Sequence, residues 1–524
     1  MKLQSKRIIW ADDEIDQLKA HIHFLKAKGY DVTPVTNGDD AIALVEQNRY
    51  DLVLLDEMMP GKDGLTTLTE IKNYDPNIPI IMITKNEEEH LMDEAIGKRI
   101  DDYLTKPVNP SQILSACKRT LESRTIRENR LGQDYAREFA QWQARRMGPM
   151  TPEDWIALYH WLCEWDVELD HYKDSDLKTM HQSNLNESNH EFCRYIERHY
   201  TGWIHQRETS PTLSVDVVKK YVAPHLRHGK PTYFIVMDCM RYDQWLMIEP
   251  LLNPYFSIER DSYYSILPTA TPYSRNALFS GLFPLEIAEK YPHYWYGING
   301  NRDEEGSKNR HERQLLERQL ADLEVKINPL PKYIKVFTTE ESQEANRTVA
   351  SFDRMPLVAM VFNFMDILVH TRSELEVMRE IAPDEAAFRA LTRAWFEHSP
   401  VREMFQIIAS QGATVVLTTD HGSVMGRRAT TAYGNRDTST SLRYKYGNNL
   451  NCDQKDAVKI TNPTDYMLPA TSKSMNYILA KEDYYFVYPT NYSEYKRQYA
   501  DSFHHGGISM EEMIVPVVTL HPKP

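Results

Sequence analysis

The stretch DLVLLDEMMPGKDGL (51–65) carries an apolar run into a single acid, Asp56, and then breaks into Pro, Gly and Asp. An uninterrupted apolar run closed by turn residues reads as a parallel strand buried on both faces. It puts Asp56 at the strand's carboxyl end. Outward from there the pattern repeats. RIIWA (7–11) leads into Asp12 and Asp13, DVTPV (31–35) follows, PIIMI (79–83) leads into Thr84, and DDYLT (101–105) into Lys106 and Pro107. Helix-like stretches near 15–28, 38–48, 65–73, 88–98 and 110–122 lie between or after these runs. The alternation predicts a flavodoxin-like (βα)5 doubly wound α/β domain over 1–122.

Ligands of an open α/β sheet bind outside the carboxyl ends of its strands. Asp12, Asp13, Asp56, Thr84 and Lys106 are therefore expected in one pocket. Three carboxylates, a hydroxyl and a lysine suit one Mg2+ and a phosphoryl group. Asp56 is the candidate nucleophile. Asp12, Asp13 and Asp56, with the Met58 backbone carbonyl, are candidate metal ligands, and Thr84 and Lys106 are candidates for the phosphoryl oxygens. Over residues 5–122 this ordered set resembles the receiver domains of two-component response regulators. The resemblance implies phosphorylation of Asp56 by a sensor histidine kinase and gives Tyr103 the place of the switch aromatic. A shift toward a homodimer, through the face around 87–120, is the expected response.

Residues 111–147 keep helical patterning without an interior proline, so the last receiver helix is expected to run on as a connector until MGPMTPED (147–154) stops it. Helices are expected at 153–170 and 186–206. Trp155, Tyr159, Leu162 and Trp165, then Phe192, Tyr195 and Tyr200, recur at helical spacing, which reads as the core of a small helical bundle linking the domains over 123–208. Strand candidates return at TYFIVM (232–237), VAMVFNF (358–364), ATVVLTT (413–419) and MIVPVVTL (513–520). The charged, helix-prone segment 301–326 reads as an insertion and a candidate lid.

Within 209–524, acids and imidazoles gather near strand ends. Asp238 follows TYFIVM. Asp366 and His370 are four apart, one helical face if that stretch is helical. Asp420 and His421 follow ATVVLTT. His504 and His505 precede Gly506 and Gly507, and Thr271 stands at a predicted helix start, which favours an anion. Imidazole and carboxylate without thiolate suit Zn2+ or Mn2+ in an open catalytic site. Six such ligands serve two ions roughly 4 Å apart, an arrangement suited to in-line phosphoryl displacement. A threonine hydroxyl is a weak nucleophile that a metal can activate.

The ordered set resembles the alkaline phosphatase superfamily, most closely its PglZ branch, over roughly 211–524. The resemblance implies an alkaline-phosphatase-like α/β domain with two Zn2+ ions. One would be held by Asp238, Thr271, Asp420 and His421, and the other by Asp366, His370 and His505, with Thr271 as the catalytic nucleophile. His505, directly before the glycine pair, fits the pattern better than His504, which would then be its outer partner. Cys239 reads as a buried thiol on the opposite strand face from Asp238. Arg275 and Asn276 read equally as phosphate ligands or as an exposed helix surface. The three parts in this order resemble response regulators associated with type IX secretion. That implies a metal-dependent phosphodiesterase acting on small nucleotides or oligonucleotides, with a secretion component or a transcription factor as possible partners. Eleven tyrosines from Tyr433 to Tyr499, with Arg436, Arg443 and Lys445, read mainly as core and rim, and secondarily as a stacking surface for bases.

Composition limits the alternatives. With 61 basic against 75 acidic residues the net charge is −14, which argues against a nucleic-acid or membrane coat. No helix-turn-helix with a basic recognition helix follows the receiver, so no direct DNA binding is expected. The five cysteines are scattered without CxxC spacing, as in a reducing cytoplasm. No secretory leader or membrane span is expected. The competing reading is a non-catalytic, phosphorylation-dependent binding regulator; a complete ligand set with a nucleophile favours the enzyme.

Overall fold

Five strands, β1 (Lys6–Ala11), β2 (Tyr30–Val35), β3 (Leu52–Asp56), β4 (Ile80–Thr84) and β5 (Asp102–Thr105), form a parallel sheet in the order β2-β1-β3-β4-β5. Alternate residues serve opposite faces. Ile8, Trp10, Leu52 and Leu54 enter one apolar cluster, while Ile9, Ala11, Val53 and Leu55 enter another. Both faces are covered, which is why the strands read as continuous apolar runs. The computed structural model describes residues 6–85, 100–170, 176–295, 309–374, 376–434, 441–490 and 492–524. The helix expected near 88–98, and with it part of the 87–120 face, lies outside the described residues.

The chain divides into two units, Met1–Gly148 and Pro149–Pro524. The first ends in a single helix, Pro110–Arg146, started by a capping box in which Asn109 and Gln112 bond each other's backbone N–H. It runs straight past position 122, as the uninterrupted patterning suggested.

The second unit begins with helix Pro152–Leu169, capped by Thr151 and Asp154, and helix Asp176–His205. The latter starts ten residues before the expected 186. Its first half buries polar groups, among them His181, Asn184, Ser188 and Asn189, so no apolar stripe marks it. Next come β6 (Thr232–Met237), β7 (Phe256–Tyr264), β8 (Lys332–Val336), β9 (Leu357–Phe362) and β10 (Thr414–Thr418). After these lie short strands β11 (Val424–Gly426), β12 (Arg428–Tyr433), β13 (Tyr444–Asn448), β14 (Asn451–Cys452), β15 (Ala457–Ile460), β16 (Met475–Ala480), β17 (Tyr484–Val487) and β18 (Ser502–His504). The last strand is β19 (Ile514–Pro522). The main sheet has the order β7-β19-β10-β6-β9-β8, with β10, β6, β9 and β8 parallel and β19 antiparallel to both its neighbours. β7 and β8 went unpredicted because they are edge strands with polar and half-exposed positions.

The segment read as an insertion is corrected. Its described part forms helix Glu312–Asp322, which buries Glu312, Leu315, Leu316, Gln319 and Leu320 and packs on helix Thr271–Ser280. It is part of the fold from Glu312 onward; residues 301–308 lie outside the described residues. Among the described residues no helix is long and apolar enough to cross a membrane.

Candidate metal centre

The parallel strands deliver the chemistry at their carboxyl ends. β6 ends one residue before Asp238, and β10 ends two residues before the Asp420 and His421 pair. β9 leads into helix Phe364–Glu374, whose first two turns present Asp366 and His370 on one side. β18 ends just before His505. These residues form two groups, Asp238–Asp420–His421 and Asp366–His370–His505, and in each the ligand atoms lie within 4.8 Å of one another. His421 Nε2 is 3.7 Å from Asp420 Oδ2 and 3.9 Å from Asp238 Oδ1. Asp366 Oδ1 is 3.4 Å from His370 Nε2 and 3.5 Å from His505 Nε2. The two groups adjoin, since the His421 and His505 rings stack at 4.3 Å. Thr271 is the first residue of its helix, and its Oγ1 lies 3.0 Å from His421 Nε2.

The donor set fits divalent cations. His421 Nδ1 lies 3.0 Å from the Gly422 carbonyl, which can only accept, so Nδ1 carries the proton and Nε2 turns its lone pair to the site. His370 Nε2 and His505 Nε2 approach to 3.4 Å, two ring nitrogens converging where a cation would sit between them. Asp238 Oδ1 and Asp420 Oδ2 are shielded from water and accept no hydrogen bond. Burying such oxygens is costly without a cation. Burial pushes the Asp238 carboxyl well above its usual range, against the pull of Arg275, and raises Asp420 as well. Burial acts in the same direction on Asp366, but the His370 hydrogen bond and the imidazoles around it bring it below the usual carboxylate range.

Several sequence expectations are refined. His504 is buried with its Nε2 toward the Tyr499 carbonyl at 3.5 Å, and it belongs to neither group. Arg275 is not an exposed helix residue. It is 2% exposed, donates to Asp238 through Nη1 and to Glu312 Oε1 at 2.7 Å through Nε, and lies 3.8 Å from Asp420 Oδ2. Its donors serve acids rather than a substrate. Asn276 is buried and donates to the Pro272 carbonyl at 3.0 Å. Cys239 is buried as expected but for another reason. It lies past the strand end with φ +65°, and its thiol enters an apolar cluster with Val369, Phe388 and Phe503. Of the basic groups considered for substrate, Arg443 and Lys445 are buried and Arg436 lies outside the described residues. Tyr444, Tyr446 and Tyr477 gather around Tyr273, whereas Tyr433 is 53% exposed.

Supporting residues that the sequence reading did not single out include Asn363, whose Nδ2 donates to Asp238 Oδ2 at 2.8 Å. Asn309 donates to the Thr271 carbonyl at 3.2 Å. Glu512 accepts the Gly507 N–H at 2.8 Å and pairs with buried Arg443 at 2.5 Å. That pair fixes the turn after His505, where a side chain at Gly507 would collide with the Ala480 carbonyl. The available signal was two adjacent acids, Glu511 and Glu512, inside an otherwise apolar run.

In the first unit, carboxylate oxygens of Asp12, Asp13 and Asp56 also lie within 4.8 Å of one another. Lys106 Nζ is 2.9 Å from both Asp12 and Asp56. Thr84 Oγ1 donates to the Glu57 carboxylate. Burial raises the Asp56 carboxyl, with the Lys106 hydrogen bond opposing it and Asp12 and Asp13 adding to it. One lysine among three acids leaves negative charge that suits Mg2+. Tyr103, inside β5, is 40% exposed, and Met58, two residues past the end of β3, is 68% exposed.

The family model described as the BREX system PglZ alkaline phosphatase-like domain matches residues 217–520, more than half of the chain. The response regulator receiver domain matches 8–118 and the PorX response regulator linker domain 125–204. A transcriptional regulatory protein, BaeR of Escherichia coli O6:H1, is 38% identical over 117 residues, 22% of this chain and 48% of its own length. The chain thus spans about half the length of that curated relative. Among solved structures, a CheY-like receiver domain from Methanospirillum hungatei is 26% identical, covering 24% of this chain and 99% of its own with a TM-score of 0.23. A Clostridium difficile response regulator is 29% identical over 22% of this chain and 97% of its own, TM-score 0.22. The molecule is a response regulator whose output domain is alkaline phosphatase-like. The chain belongs to the PglZ alkaline phosphatase-like family, and its receiver, linker and PglZ domains make it a PorX-type response regulator.

Proposed function

We propose that the output domain is a two-zinc phosphodiesterase acting on small nucleotides or oligonucleotides, and that phosphorylation of Asp56 controls it. The observation that carries the reading is Thr271 Oγ1 at a helix start, 3.0 Å from His421 Nε2, where two adjoining three-ligand groups meet. Asp238, Asp420 and His421 would hold one zinc with Thr271, and Asp366, His370 and His505 the other. Zinc bound there would lower the pKa of the hydroxyl and neutralise charge on the departing oxygen. Thr271 Oγ1 attacks phosphorus and one alcohol leaves, taking up the proton that the hydroxyl gave up; water then cleaves the threonine-linked phosphodiester, releasing the phosphomonoester and restoring the Thr271 hydroxyl. The helix dipole favours the phosphoryl anion beside Thr271. Arg275 and Asn363 fix the Asp238 carboxylate through Oδ2, leaving Oδ1 toward the site.

In the receiver, one Mg2+ would sit with Asp12, Asp13, Asp56 and the Met58 carbonyl while Asp56 accepts the phosphoryl group. Thr84 and Lys106 would hold that group, and Tyr103 would report the change. The active form on this reading is a cytoplasmic homodimer in type IX secretion control, in contact with a secretion component or a transcription factor. The test is Thr271→Val, which keeps shape and removes the oxygen. Turnover of bis-p-nitrophenyl phosphate is expected to fall by about 10^4-fold or more with zinc retained. Turnover at the wild-type rate would exclude Thr271 as nucleophile.

A further inference from the structure

One helix outside the main sheet holds two of the loops that build the centre. Helix Asp176–His205 buries Tyr200, whose Oη accepts the Leu267 N–H at 2.9 Å, four residues before Thr271. Along the same helix, Cys193 Sγ donates to the Ile508 carbonyl at 3.1 Å. Asn189 Oδ1 accepts the Met510 N–H at 2.8 Å, and its Nδ2 donates to both Glu511 oxygens at 2.9 and 2.7 Å. Those contacts grip the loop that begins at His505. The spacing 189, 193, 200 puts all three residues on one helical face.

The gripped loops are also tied to each other. Thr269 Oγ1 donates to the Gly507 carbonyl at 2.7 Å, and the Gly422 N–H donates to the Glu512 carbonyl at 3.1 Å. Gly422 follows His421, and a Cβ there would lie 1.9 Å from the Glu511 carbonyl oxygen. The His421 loop therefore rests directly on the loop that Asn189 holds. Apolar packing alone tolerates sliding. Buried hydrogen bonds fix a register, because a displaced donor or acceptor loses its partner.

We infer that Asn189 and Tyr200 are positioning residues of the metal centre, setting the His505 loop and the Thr271 loop in register, so that turnover depends on the seating of this linker helix. The inference rests on the two-zinc reading.

The test uses the full chain loaded with zinc, with zinc per chain after chelator dialysis, kcat and KM on bis-p-nitrophenyl phosphate, and circular dichroism as readouts. Asn189→Ala is expected to lose the more weakly held zinc and to lower kcat by about tenfold or more, with KM within about threefold and the dichroism unchanged. Tyr200→Phe is expected to keep both zinc ions and lose about fivefold in kcat alone. Asn189→Asp combined with Glu511→Gln restores acceptor to Met510 and donor to the carboxylate, and is expected to recover most of the loss. The inference is overturned if Asn189→Ala keeps wild-type zinc and kcat, or if the paired variant is no better than Asn189→Ala. Tyr200→Phe removes one oxygen and decides the question if Asn189→Ala does not fold, wild-type kcat then overturning it. Wild-type protein lacking zinc and turnover would overturn the two-zinc reading instead.

Discussion

Arg443→Met should expose how much the turn behind His505 depends on one buried ion pair. Arg443 and Glu512 are both fully buried, with Nη2 at 2.5 Å and Nε at 3.1 Å from the carboxylate. Glu512 also accepts from Gly507 N and Ser509 Oγ, each at 2.8 Å. Removing one partner of a buried pair costs about 3–5 kcal/mol. Two donors remain on the carboxylate, which favours the lower end. The Lys481 and Tyr484 carbonyls lose their Arg443 donors as well, adding about 1 kcal/mol. The total is about 4 kcal/mol. At about 2.1 cal/mol/K per residue over roughly 380 residues, the unfolding entropy of the second unit is about 0.8 kcal/mol/K, so its melting temperature should fall by about 5 °C. Differential scanning calorimetry of the full chain reads this directly. Arg443→Met with Glu512→Met removes the stranded charge and should recover about half the loss. A single variant melting within about 1 °C of wild type, or a double variant no better than the single, would refute the reasoning.

Asp56→Asn should abolish labelling by acetyl phosphate and binding of beryllofluoride, measured by mass spectrometry and fluorine NMR; labelling at the wild-type level would remove Asp56 as acceptor. Burial raises Glu511 from 4.5 to about 7, so the folded chain binds the extra proton between those values and stability falls as pH rises through them. Relative to Glu511→Gln, wild type should lose about 3 kcal/mol of unfolding free energy from pH 4.5 to 7, read by urea titration at each pH. A pH-independent difference would show that folding leaves the Glu511 carboxyl unshifted. Arg275→Met strands Asp238 and Glu312, so the metal-free protein should lose about 3–5 kcal/mol, while added zinc should stabilise the variant more than wild type by neutralising Asp238. Equal zinc-induced melting shifts would argue that Arg275 does not carry Asp238's charge.

Much of the centre was legible because its side chains directly follow strands that announce themselves. β6, β9 and β10 are unbroken apolar runs, and Asp238, Asp420 and His421 come just after two of them. Asp366 and His370 carried the helical spacing, and the glycine pair distinguished His505 from His504. What stayed hidden depends on partners distant in sequence. Arg275 reads equally as a phosphate ligand or an exposed helix residue until Asp238 and Glu312 close on it, and Arg443 as a basic group for an anionic substrate until Glu512 does. Charge density suggested an exposed insertion around Glu312, whereas its carboxylate is buried against Arg275 and Tyr333. The first half of helix Asp176–His205 lacked an apolar stripe because its buried face carries polar groups, His181 against Asp166 and Asn189 on the loop after His505 among them.

The most direct measurement is anomalous X-ray scattering at the zinc edge from crystals of the zinc-loaded chain. Two peaks roughly 4 Å apart are expected. One should be bounded by Asp238, Asp420, His421 and the Thr271 hydroxyl, the other by Asp366, His370 and His505. Saturated crystals with no peak among these residues, or with zinc bound only elsewhere, would contradict it.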